Sequence, residues 1–401
     1  MVRRLLSALF AAALLTGIAS GVNATPAGPD LAPAYNGFGF DLFAQLAKES
    51  DRQNVFFSPT SVAVALAIVA NGGAGTTRES MLQVLGTKDA SIAGFNNSNQ
   101  TLMSELNNPG NDLAFSIANA LWLNQRFKLL PSFVTTSHDV FSAEAQDLPF
   151  GDPSAAKTIN DWVDKHTRGL IPEIIDQTRA DDILVVTNAI AMKAKWLQEF
   201  EKSDTHDAPF ETSSGGHITV SMMSHDGTYA YADENGWQVA RLPYRGDRFA
   251  MYVLLPHKGV ALHDALKTFD GAAFDRAIAG LHQQEIIFAM PRYTATYKAE
   301  LNRPLVQLGM GDAFEAGTAD FSNLIPPPQA AYISVVLHRA FVKVDEEGTE
   351  AAAATAVAIR TLAVRMPPET KMIVDRPFLM AIRDDKTKQI LFLGAIYKPE
   401  S

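Results

Sequence analysis

The sequence predicts a single α+β domain, and three observations carry that reading. Helical stretches with a 3.6-residue apolar spacing and strand-like stretches with a two-residue alternation are mixed along the chain rather than segregated. No Pro/Ser/Gly-rich linker divides the 401 residues, and no internal repeat is visible. A hydrophobic content of 47% with a net charge of −10 suits a chain that buries one large core. That charge lacks the basic footprint that a phosphate backbone demands, so nucleic acid is not an expected partner.

Residues 1–24 read as a secretory signal peptide. Arg3 and Arg4 precede an apolar stretch from Leu5 to Ile18, and Val22-Asn23-Ala24 offers a cleavage site before Thr25. The apolar stretch is short for a bilayer span, so no membrane association is expected after its removal. The mature domain is then expected to run over 25–401, secreted or periplasmic. The chain has no Cys, which excludes disulfides, cysteine catalysis and a lipidated cysteine. A core of this size does not need covalent staples.

Between Thr25 and Ala34, Pro and Gly suggest a flexible lead, and 38–47 reads as an amphipathic helix. Ser58-Pro59 turns the chain into a largely apolar helix that Gly72, Gly73 and Gly75 end. Thr76-Thr77-Arg78-Glu79 has capping-box spacing and is expected to open the next helix. FSIANALWLN, VFSAEAQDLPF and ILVVTNAIAMKAKW read as strands, with INDWVDKHTRGLIPEII, between the last two, a helix ended by Gly169. From Gly216 come the strands HITVSMMS, YAYADENGWQVARLPY, RFAMYVLLP and EIIFAMPRYTATYKAEL, with helices at 261–266, 273–281 and 301–308. After Tyr332 the pattern is strand, an alanine stretch, then strands around RPFLMAIRD and ILFLGAIY.

Nine His and many carboxylates supply raw material for catalysis, but their spacing does not. There is no G-x-S-x-G elbow, no H-E-x-x-H, no S-x-x-K set and no His pair at metal-ligand spacing. His217, His257, His263 and His282 stand singly, and Asp181-Asp182 reads as a solvated turn. No catalytic residue, metal or cofactor is assigned, and the chain is not expected to be an enzyme. The stretch that stands out is EEGTEAAAATAVAI, 346–359. Its Ala run favours a helix, whereas Thr349, Ala351, Ala353, Thr355, Val357 and Ile359 alternate as a strand does and end β-branched. It is a segment suited to two homes.

At FVKVDEEGTEAAAATAVAI the chain resembles the hinge of the serpins, a family of serine protease inhibitors. NVFFSPTSVAVALA, FSIANALWLN, INDWVDKHTRGLIPEII, TNAIAMKAKW, MPRYTATY, DRPFLMAIRD and ILFLGAIYKP fall in that family's order and spacing. The resemblance implies a metastable fold of three β-sheets and about nine helices with an exposed reactive-centre loop, here about 346–368. Its leader marks it as similar to secreted, bacterial-type members. The implied mechanism is that of a suicide substrate: a serine protease cuts the loop, and the cleaved loop enters the central sheet as a new strand before the acyl-enzyme can hydrolyse.

Carried over residue by residue, the hinge comprises Glu346, Glu347, Gly348, Thr349, Glu350, Ala351, Ala352, Ala353 and Ala354. Gly348 matches the flexible glycine and Thr349 the first residue to enter the sheet. The family's interval from Glu346 puts the scissile bond between Leu362 and Ala363, with Arg360 and Arg365 as alternatives. Ser58, Ser61, Asn188 and His338 match the polar shutter beneath the sheet. Trp196, Arg292 and Glu346 match the breach at its top, where Glu346 and Arg292 are expected to pair. A Leu362 bait implies a chymotrypsin-like target and Ala363 an elastase-like one; a monomer without cofactor is expected. The alternatives are a non-inhibitory carrier or chaperone, whose hinges tend to hold bulky, charged or Pro residues, and a secreted hydrolase. From 348 to 355 this hinge has only Glu350 of that kind.

Overall fold

Two hydrogen-bonded sheets and nine helical segments make up the described residues of the computed structural model, 28–109, 113–349 and 368–400. Helix α1 (Leu31–Glu49) begins where the Asp30 carboxylate accepts the Ala32 amide at 3.1 Å. The expected flexible lead is therefore already helical at Leu31, because Leu31, Ala32 and Tyr35 are buried there. Pro33 lies in the first turn, where its missing N–H leaves no bond unmade. After strand β1 (Val55–Phe57), α2 (Pro59–Gly72) is apolar on all sides and accordingly runs through the interior, with 62–70 fully buried.

Helix α3 (Gly75–Val84) starts at Gly75 without a side-chain cap. The expected capping box is not made, since Thr76 already lies inside the helix; the Thr77 hydroxyl accepts the distant Asp320 amide at 2.9 Å. Two helices were not anticipated. In α4 (Ile92–Asn107), Phe95, Asn99, Leu102, Met103 and Leu106 form a buried helical stripe inside a polar run. Helix α5 (Pro131–Phe141) takes the first residues of VFSAEAQDLPF and ends at a left-handed Ser142, leaving only β3 (Glu144–Leu148) as strand. Between them lies β2 (Leu113–Asn124). Helix α6 (Pro153–His166) is capped by Asp152, and its end is closed by Gly169, whose left-handed backbone directs its amide to the Asp164 carbonyl.

Strands β4 (Leu184–Lys195) and β5 (His206–Glu211) lead to β6 (His217–Glu234), one 18-residue strand where two were expected. Then come β7 (Trp237–Pro243), β8 (Phe249–Pro256), α7 (Leu262–Ala265), α8 (Gly271–Ala279), β9 (His282–Pro291) and β10 (Tyr293–Glu300). Helix α9 (Asn302–Leu305) leads across a kink at left-handed Gly309 (φ +114°) into α10 (Gly311–Phe314), and the two count as one segment. The chain closes with β11 (Ile333–Val344), β12 (Gly348–Thr349), β13 (Lys371–Ile373), β14 (Phe378–Asp384) and β15 (Ile390–Ile396).

The nine-stranded sheet has the order β1-β15-β14-β8-β7-β6-β9-β13, with β5 beside β6. Strand β6 pairs with β5 and β9 along one limb and with β7 along the other, so two of the three expected sheets are hydrogen-bonded into one. The six-stranded sheet runs β10-β11-β12-β4-β2-β3. Its inner face, with Val186, Ile190, Val336 and Val342, joins the main core around α2. Its outer face, with Trp122, Val185 and Leu337, is covered by Ile159 and Val163 of α6. Burial on both faces explains why β4 reads as a nearly unbroken apolar run.

Candidate functional site

The mouth of the six-stranded sheet is where the chain's unusual segment meets its core. Strands β4 and β11 run parallel and pair directly, 184–191 against 333–341. Beyond that stretch they part, and β12 enters between them, antiparallel to both: Thr349 sits opposite Val344 on one side and Ala194 on the other, and Gly348 opposite Lys195. The approach is a turn in which the Asp345 amide donates to the Gly348 carbonyl at 2.9 Å. Gly348 has φ +153°, and a Cβ there would lie 2.0 Å from the Ala194 carbonyl oxygen. Glycine is thus demanded by close backbone approach as well as by backbone freedom. Thr349 is fully buried, and its hydroxyl is 2.7 Å from that of Tyr244.

Trp196, Arg292 and Glu346 are brought together around this turn. The Trp196 indole N–H donates to the Asp345 carbonyl at 2.9 Å, and its amide to the Glu347 carbonyl at 3.0 Å. Its ring stacks on Tyr244 with centroids 4.5 Å apart. The Glu346 carboxylate is buried; Oε1 accepts the Thr205 hydroxyl at 2.9 Å and lies 3.4 Å from Arg292 Nη1. The expected ion pair is present, but Arg292 is half exposed and the separation is long, so the Thr205 bond is the firmer restraint. Glu347 reaches the opposite way, to the exposed Lys202 at 2.8 Å. Burial pushes the Asp345 carboxyl up, and the amides of Glu347 and Gly348 pull it back.

Lower in the sheet, Ser58, Ser61, Asn188 and His338 also converge. The chain enters α2 through Ser58, whose hydroxyl caps the helix by accepting the Ser61 amide at 3.1 Å. The Ser58 amide in turn donates to His338 Nε2 at 3.2 Å. With Nε2 an acceptor, Nδ1 carries the proton and donates to Asn188 Oδ1 at 2.5 Å. The Asn188 amide donates to Ser61 Oγ at 2.6 Å and to Asn119 Oδ1 at 2.5 Å. His338 and Asn188 are register partners on β11 and β4, so this bond ties the two parallel strands together.

Burial lowers the His338 pKa from its ordinary 6.5 to about 3, and both ring nitrogens are used by the neutral form. The folded value lies below the unfolded one, so from about 6.5 down to 3 the unfolded chain holds a proton that the folded chain refuses. This contribution is complete above that window and is lost as pH falls through it. The unfolding free energy from urea titration is expected to be lower at pH 5 than above pH 7 by about 2 kcal/mol. His338→Gln should flatten that slope; identical slopes in the two proteins would remove His338 as its source.

Glu350, Ala351, Ala352, Ala353, Ala354, Arg360, Leu362, Ala363 and Arg365 lie outside the described residues, as do 1–27. Sequence reasoning missed Tyr244, Thr205, Lys202 and Asn119. Tyr244 follows β7 in an ordinary turn, LPYRGD, and nothing local links it to a residue 105 positions away.

The same architecture recurs in known proteins. The family model described as "Serpin (serine protease inhibitor)" matches residues 33–399. Human Serpin B8 is 36% identical over 380 residues, covering 92% of this chain and 100% of that protein. The thermophilic serpin tengpin in its native state is 31% identical with a TM-score of 0.84, over 92% of this chain and 95% of that one. Human thyroxine-binding globulin in complex with its hormone is 25% identical with a TM-score of 0.85, over 92% and 99%. The hinge enters the sheet within a chain that the family model matches almost throughout, and on these grounds the protein belongs to the serpin family.

Proposed function

We propose that the protein is a suicide-substrate inhibitor of serine proteases of chymotrypsin- or elastase-like preference, acting as an exported monomer. The observation that supports this most is β12: Gly348 and Thr349 already pair between β4 and β11, at the head of a segment with strand alternation. Extending that antiparallel register one residue at a time brings Thr355 between His338 and Asn188, and Ile359 opposite Leu184. Thr349, Ala351, Ala353, Thr355, Val357 and Ile359 then face the main core, and the intervening alanines slide beneath α6. Before cleavage the loop is tethered at both ends, which limits entry to the first residues. Cleavage between Leu362 and Ala363 frees one end, and from position 352 onward each further rung replaces one parallel pairing of β4 and β11 by two antiparallel ones.

A carrier reading draws on the likeness to thyroxine-binding globulin, whose structure contains thyroxine. The small, Pro-free hinge from Gly348 to Thr355 favours inhibition instead. Incubation with a panel of serine proteases separates the two. The expected result is a complex stable in SDS with a chymotrypsin- or elastase-like enzyme and a released peptide whose mass starts at Ala363. A peptide starting at Thr361 or Met366 moves the bait to Arg360 or Arg365; no covalent complex with any serine protease defeats the inhibitory reading. In the same preparation, an exported chain beginning at Thr25 checks the proposed leader.

A further inference from the structure

We propose that Tyr244 is a positioning residue for loop insertion: its hydroxyl receives Thr349 at the mouth of the sheet and holds the first rung in place. This rests on the inhibitory reading above and names the residue through which insertion starts.

Position 349 is fully buried, and Val would fill the same β-branched shape without a polar atom. A hydroxyl in such a place is favourable only when it is hydrogen-bonded. Tyr244 Oη, at 2.7 Å, answers it. The tyrosine is well fixed for the task. Its amide donates to the Phe249 carbonyl at 2.9 Å, and it forms a β-bridge with Trp196. On either side of it, Leu197 donates to Pro243 and Arg245 to Lys195, each at 2.8 Å, so the turn is stitched to the end of β4. The ring stack on Trp196 keeps the phenol from swinging aside.

Burial raises the Tyr244 phenol far above its ordinary range, so the partner is a neutral hydroxyl at every working pH. A second buried phenol, Tyr293, is close enough to oppose Tyr244 ionisation, and its hydroxyl has no hydrogen-bond partner. The first rung is also the step at which a single bond counts most. Only Gly348 and Thr349 are then paired, whereas a later loss is shared among many ladder bonds.

The test uses three near-isosteric variants of the full chain: Tyr244→Phe, Thr349→Val and the pair combined. Tyr244→Phe keeps the aromatic stack. Each single variant is expected to raise the number of inhibitor molecules cut per protease trapped by roughly three- to tenfold, with the initial rate of loop cleavage unchanged. The combined variant should be no worse than either single one, because both remove the same bond. In the uncut protein, amide hydrogen exchange at 194–196 and 344–349 should quicken in both single variants. Wild-type partitioning in the singles, a combined effect equal to their product, or slowed cleavage overturns the proposal. If the wild-type chain traps no protease, the inhibitory reading falls on its own. The exchange measurement then decides the latch, and unchanged exchange in Tyr244→Phe overturns it.

Discussion

On the proposed mechanism, Thr349→Arg is expected to turn the protein from an inhibitor of its protease into a substrate. The side chain at 349 is fully buried between β4 and β11, beneath which lie Tyr244 and the Trp196 ring. The partner of residue 349 is the neutral Tyr244 hydroxyl, and an unpaired buried charge there costs several kcal/mol. Entry of the first rung should therefore slow by on the order of a hundredfold or more. The acyl-enzyme then hydrolyses before the sheet takes up the strand. Cleavage of the same bond should proceed at a similar initial rate, while the SDS-stable complex all but disappears and active protease is released. Because β12 is already paired in the uncut chain, the variant should also show faster amide exchange at the mouth of the sheet before any protease is added. Wild-type trapping by Thr349→Arg would show that insertion is not led from this residue.

The second large effect is thermal. Cleavage by any enzyme that cuts the loop without destroying the domain should raise the melting temperature by more than about 10 °C. The register begun by Thr349 leaves about ten further positions before β4 ends at Leu184. Net ladder bonds of roughly 0.5–1.5 kcal/mol each, with burial of Val357 and Ile359 at about 1.5–3 kcal/mol apiece, bring the gain to on the order of 10 kcal/mol. With an unfolding entropy of about 2.1 cal/mol/K per residue, that gain moves the midpoint of a chain this long by more than about 10 °C. Calorimetry of intact and cut protein measures the difference directly. A cut form that melts at or below the intact one would mean that the intact state holds no strand in reserve.

His338 lies where β11 and β4 still pair directly. Its bond to Asn188 spans the two strands that the proposed insertion has to separate, and the register of β12, if extended, would bring Thr355 between them. The two contacts thus act in opposite senses: the hydroxyl pair holds the first rung between the strands at the mouth, and the imidazole–amide pair holds the strands together lower down. The proposed insertion would replace the second of these contacts with a residue whose hydroxyl is itself a donor and acceptor.

Much of this was legible in the sequence, and the reasons are local. The apolar-all-round α2, the unbroken apolar β4 and the alternating hinge declare themselves because periodicity and burial are properties of neighbouring residues. Helix α4 escaped because its buried stripe is scattered through Asn, Ser and Gln, and the capping box at 76–79 misled because the helix begins at Gly75, one residue ahead of the Thr76 that would have capped it. Ser58, Ser61, Asn188 and His338 were identified through family order, and the fold brings them within hydrogen-bond reach of one another.

By itself the sequence determined the α+β class, the serpin resemblance and a stretch, 346–359, in which small and β-branched residues alternate as a strand's do. Only the tertiary structure decided that this hinge already contributes two residues to the sheet, that Gly348 is required by the Ala194 carbonyl, that Glu346 leans on Thr205 more than on Arg292, and that Tyr244 meets Thr349. The physical reason is the same in each case. Propensity and alternation are set by adjacent residues, whereas the partner of a buried hydroxyl or carboxylate is whatever group the packing of distant strands brings within about 3 Å.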